Sequence, residues 1–253
     1  MAPRTPLLGV LLAAVLLASA CGAAPSRSGT AARGPKATAA HPWPGTLAWA
    51  ALAKLGNYAY RATVVTTVGG RRSAVTVRAR YHGPGDWELV LSPQDSPPVR
   101  LIQADNGHQY IVQAGQGPAL DLGSAGKSPY SAMFRAYEYE ATGPWTGLFS
   151  SSRGAYAGPC SVLGRAGSAY RVGGSTGGMG AAATGVEEAV GGSACIDART
   201  GAPLRGRFRF RLAAGAEGMT YVDRMRVTAW GTVPEIPAPA GAAPLAGGGA
   251  GTR

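Results

Sequence analysis

Histidine, cysteine and acidic residues are all scarce in this chain of 253 residues, and each shortage narrows the chemistry open to it. The three histidines, His41, His82 and His108, fall in a linker, at a strand end and beside a turn. They read as solvated or locally bonded imidazoles rather than as a metal set. Gly173-Gly174-Ser175-Thr176-Gly177 has the GxSxG form of a nucleophile elbow, but no His follows residue 108. The Ser–acid–His order of that hydrolase class therefore cannot be completed. Gly178-x-Gly180-x-x-Ala183 lacks the βαβ setting of a dinucleotide site, and Glu187-Glu188 reads as a solvated face. No enzymatic activity and no cofactor are expected. Long apolar runs are missing as well. The longest, Leu7 to Leu17, falls short of the roughly 20 residues a permanent membrane span needs.

That run has another use. Arg4 before it and Ala18-Ser19-Ala20 after it complete the plan of a secretory signal peptide over residues 1–20. Leu17-Ala18-Ser19-Ala20-Cys21-Gly22 resembles the lipobox of bacterial lipoproteins, whose cysteine is acylated and becomes the mature N-terminus. It departs from that pattern in having Ala18 three residues before the cysteine, where Leu is preferred. Ala18-x-Ala20 also suits an ordinary signal peptidase, so plain secretion is the alternative. Two acyl chains on Cys21 would hold the chain firmly, each buried methylene contributing about 0.8 kcal/mol. Residues 21–45 read as the lipidated N-terminus and a flexible Ala/Gly/Ser/Thr/Pro linker, with an r.m.s. reach of about 25–30 Å. The expected location is the extracytoplasmic face of a cell membrane.

With Cys21 spent on lipid, Cys160 and Cys195 remain as an even pair in an oxidising compartment and are expected to be bonded. Acidic residues number 13 against 24 basic ones, a net charge of +11. Nucleic-acid binding would fit that charge, but export and the want of a recognition motif argue against it. Abundant Gly and Ala, with Arg far ahead of Lys, resemble the usage of high-GC genomes such as those of actinobacteria.

From residue 46 to 233 the sequence reads as one mainly β domain (α+β). Thr46 caps a short helix ending before Gly56, and two more short helices are expected at 131–140 and 145–150. About ten strands follow from period-two patterning, near 58–67, 73–81, 87–91, 99–104, 109–112, 161–163, 168–172, 194–197, 204–212 and 220–230. Short connections such as Gly69-Gly70 and Asp105-Asn106-Gly107 make neighbours antiparallel. In Arg207-Phe208-Arg209-Phe210-Arg211-Leu212 apolar and basic residues alternate, as they do in Val75-x-Val77-x-Ala79-x-Tyr81. Trp87, Leu89 and Leu91 repeat the rhythm. One face of the sheet is therefore apolar and the other basic and solvated. With so few helical residues to cover it, the apolar face must curl into a half-barrel plugged by the short helices. Val75, Val77, Tyr81, Trp87, Leu89, Leu91, Phe208, Phe210 and Leu212 are its expected cavity lining. Residues 234–253 read as a disordered Pro/Ala/Gly tail.

This element order, with the lipobox cysteine, resembles the LolA-like carriers, and within them the LppX/LprG type of lipoprotein. Local phrases carry it further. Val99-Arg100-Leu101-Ile102 precedes the Asp-Asn-Gly turn, and Asp197-Ala198-Arg199-Thr200-Gly201-Ala202-Pro203-Leu204 looks like that family's acidic, Thr-Gly, Pro-Leu hairpin. The resemblance implies a half-barrel that binds or transfers a lipid or another apolar ligand. Related folds serve as envelope sensors, so the rival expectation is a sensor or scaffold that meets another envelope protein.

Overall fold

The computed structural model describes residues 41–45, 48, 51–52, 55–83, 85–127, 131–132, 134, 153–175, 188–212 and 219–245. Twelve strands form one sheet: β1 (Tyr58–Val68), β2 (Arg71–Gly83), β3 (Asp86–Pro93), β4 (Val99–Gln103), β5 (His108–Gln113), β6 (Leu120–Ser124), β7 (Arg153–Val162), β8 (Arg165–Ser175), β9 (Glu188–Asp197), β10 (Pro203–Leu212), β11 (Met219–Trp230) and β12 (Ala243–Pro244). Their order is β12-β6-β5-β4-β3-β2-β1-β11-β10-β9-β8-β7. All neighbours are antiparallel except β12, which runs parallel to β6. The sheet is open and curved, and mainly β as its patterning predicts.

Local chemistry sets the connections. Gly69 and Gly70 have φ of 54° and 78°, the two left-handed positions a two-residue hairpin between β1 and β2 demands. Between β4 and β5, Gly107 turns the chain at φ 77°, while the His108 N–H donates to Asn106 Oδ1 at 3.0 Å.

Three expectations change. Two strands, β6 and β7, run through the 114–157 stretch that lacks a strand pattern, because Gly-Ala-Tyr-Ala-Gly-Pro-Cys offers almost no apolar alternation. The glycine-rich stretch after Gly173 is partly strand too, extending β8 and β9, while residues 176–187 lie outside the described residues. Residues 234–245 are not a free tail. Ile236 is buried against Ile102, Ala104 and Tyr110, its N–H reaches Asp86 Oδ2 at 3.2 Å, and Ala243–Pro244 pairs with Leu120–Asp121. Two apolar side chains, Val233 and Ile236, outweigh the Pro/Ala/Gly composition around them. Asn57 clamps the departure point, donating to Val233 O and accepting from Val233 N, both at 2.9 Å.

Candidate functional site

Register decides what each face of the sheet carries. Tyr60, Ala79, Leu89 and Leu101 stand side by side across β1 to β4, each at 1 % exposure or less. The next row, Ala62, Val77 and Leu91, is also buried. Helical residues Ala48, Leu52 and Phe134 seal this end of the apolar face at 0 % exposure, and Phe134 packs 5.0 Å from Trp87. Of the expected lining, Val77, Trp87, Leu89, Leu91 and Phe208 are buried in one cluster, with Val75 and Tyr81 half-buried against it. The structure brings those seven together. Phe210 and Leu212 lie farther along β10, opposite Tyr221 and Met219 in register, and their side chains lie outside the described residues. Cys21 lies outside them as well.

Coverage of the apolar face is uneven. Toward the β1–β2 hairpin, Val64 and Val75 face each other only half-buried, and Pro93 and Val99 beyond them are equally half-covered.

The opposite face is arginine-rich in its middle and covered at its flanks. On one flank, Ile236, Ala238 and Ala242 lie over Ile102 and Tyr110. On the other, Val162, Cys195 and Leu204 form a small cluster joined by Cys160 and Trp230. The Cys160–Cys195 bond is present, linking β7 to β9 with β8 between them. It passes over Gly167, where a Cβ would stand 3.2 Å from Cys160 Sγ and 2.4 Å from Ile196 O. Beside it, Asp197 Oδ2 accepts from Arg165 Nε at 2.7 Å, and the guanidinium lies 4.2 Å over the Trp230 ring. Asp197 Oδ1 collects the Arg199 and Thr200 N–H groups and the Thr200 hydroxyl. Burial pushes this carboxyl up, but Arg165, Thr200 and Arg199 together hold it below the usual range. The acidic, Thr-Gly phrase of the sequence is therefore a turn held by its own carboxylate.

Between the flanks lies a depression of about 460 Å³, lined by Arg61, Arg205, Arg207, Arg224 and Arg226 with Thr63, Ser193 and Thr228 among them. Alternation foretold a basic face here, but not a concavity, which depends on register and curvature. Elsewhere on this face arginines find carboxylates: Glu88 accepts from Arg80 Nε at 2.7 Å and Arg100 Nε at 2.9 Å.

Each imidazole meets a partner within the fold. His41 stacks on Tyr156, His82 Nδ1 meets Val233 O at 2.7 Å, and His108 Nδ1 meets Asp121 at 3.0 Å. Gly173 to Ser175 lie within antiparallel β8. Among the described residues no group of three His, Cys, Asp or Glu is placed to hold a metal.

Fold and faces together define a curved-sheet protein with one apolar face and one arginine-rich face. No family model matches the chain, and neither does any curated protein. Solved structures similar to it include LprF from Mycobacterium bovis, at 15% identity over 78% of this chain and 96% of that one, with a TM-score of 0.36. Lipoprotein LppX from Mycobacterium tuberculosis is similar at 13% identity over 73% and 92%, TM-score 0.34. A LolA superfamily protein from Nitrosomonas europaea is similar at 7% identity over 78% and 95%, TM-score 0.28. The LolA-like and LppX-type resemblance met in the sequence recurs among these solved structures, as a likeness of fold alone.

Proposed function

We propose that this chain is a membrane-anchored extracytoplasmic lipoprotein that binds or transfers a lipid or another apolar ligand, without covalent chemistry of its own. The observation that supports it is the half-covered apolar band of Val64, Val75, Pro93 and Val99, continuous with a sealed core. Apolar surface left to water costs about 25 cal/mol per Å², so an acyl chain laid along the band would be favoured. Native mass spectrometry and lipid extraction of the purified chain should find a co-purifying lipid. Val75→Trp, which fills the band at a half-buried position, should cut the loaded fraction several-fold while leaving the fold intact. If nothing co-purifies and neither phospholipids nor glycolipids bind, the sensor or scaffold reading takes its place. One observation favours that rival: Leu52, Phe134, Leu89 and Leu101 leave no space at the sealed end.

The anchor of this reading is Cys21. Cys21→Ser should shift the protein from the membrane fraction to the soluble or secreted one. A wild-type N-terminus that proves unmodified by intact mass would rule acylation out.

A further inference from the structure

The strand register places four arginines abreast. Arg78 faces Arg61, Arg61 faces Arg226, and Arg226 faces Arg205, across β2, β1, β11 and β10. Two residues along, about 7 Å away, Arg224 faces Arg207 in a second row. All six are exposed. Like charges directly opposite each other in a sheet are destabilising, so a chain that needed only solubility gains nothing from this placement. Nor are these charges neutralised. Arg80, Arg100 and Arg165 each hold a carboxylate, but among the described residues none lies within ion-pair distance of these six. Folding also leaves them bare: the C-terminal segment and the disulfide cluster cover the same face on either side and stop short of it.

We propose that this arginine array docks the domain onto an anionic membrane surface, phosphate headgroups being received in the depression between Arg61, Arg205 and Arg226. The guanidinium fork matches phosphate oxygens in a two-point geometry, and its weak hydration lowers the cost of contact. An array spanning four strands, about 14 Å across, fits an extended sheet of headgroups better than one small ion. The partner follows from the membrane reading above. The two fail separately, however, because the tether is judged by fractionation and this face by vesicle binding without the tether.

The test uses the exported chain carrying Cys21→Ser, with phosphatidylcholine vesicles and mixed phosphatidylglycerol–phosphatidylcholine vesicles. Partition onto the mixed vesicles is expected, with little onto phosphatidylcholine alone. Arg61→Ser combined with Arg226→Ser should weaken that partition about 30-fold. Arg71→Ser combined with Arg72→Ser removes the same charge at the β1–β2 hairpin, about 20 Å along the strands, and should weaken it less than about threefold. The array variant should also melt no lower than its parent, and higher if the like-charge row is relieved, which separates lost docking from lost folding. Equal losses in the two double variants would overturn the proposal, leaving only net charge. Indifference to phosphatidylglycerol would overturn it too. So would a tighter, array-dependent complex with duplex DNA, which would assign the face to nucleic acid.

Discussion

Replacing both Cys160 and Cys195 with Ala is expected to lower the stability of the domain by about 4 kcal/mol, a fall of about 10 °C in the melting midpoint. The two cysteines are 35 residues apart in sequence, and the loop they close contains the Leu163-Gly164 turn, the whole of β8 and the glycine-rich sequence after it. Freeing such a loop returns conformational entropy to the unfolded chain. Little else would offset the loss, because β7 to β9 are built from Gly, Ala and Ser and bury few large side chains. Cys195 is 3 % exposed beside Val162 and Leu204, so the bridge is also part of a packed cluster. Denaturant unfolding of the double variant measures the effect, and a loss below about 1 kcal/mol would mean that the bridge only decorates an already rigid corner. In the native protein, thiol reagents should label neither cysteine until a reductant or denaturant is added.

Asp197→Ala should cost about 3 kcal/mol. It strands the Arg165 guanidinium and releases the Arg199 and Thr200 N–H groups that shape the β9–β10 turn. The effect has a pH signature. The folded carboxyl is held below its ordinary value, so its contribution is complete above the unfolded value of about 3.9 and is lost as pH falls through the lower folded one. The gap between parent and variant should thus be constant above about pH 5 and close below about pH 4. Asp86 works in the opposite sense: burial raises its pKa, so protonation favours the fold as the pH drops. Because parent and variant share Asp86, the difference between their unfolding curves isolates Asp197. A gap that persists into acid would show that the lost contacts do not depend on the charge.

The first five strands and β10 to β11 were readable because their residues alternate and their turns carry Gly69-Gly70 and Asp105-Asn106-Gly107. The same alternation gave seven members of the apolar cluster. It could not say whether the space beside them is filled, since Ala48, Leu52 and Phe134 arrive from distant parts of the chain. Only the end of strand β7, near 161–163, was read, because Gly154 and Gly158 carry no side chain to mark a face, although Gly154 has a packing role. A Cβ there would stand 2.2 Å from the Trp43 ring that packs on it. The arginines of β1, β10 and β11 were visible one strand at a time. Their meeting in rows is a property of register, which period-two patterning leaves open by any even number of residues.

Residues 243–244 and the bulge of β7 bear on how molecules of this protein meet one another. An unclosed sheet ends in two rows of backbone N–H and C=O groups that invite a further strand from a neighbouring copy, the first step of fibrous aggregation. At one edge Ala243–Pro244 takes up the β6 positions, and Pro244 has no N–H with which to propagate the ladder. At the other, the register slips between Tyr156 and Gly158 and Pro159 removes a donor, while Trp43 packs onto Gly154 of the same strand. Neither edge offers a long flat template. Copies crowded together could therefore sit side by side without zipping into a common sheet.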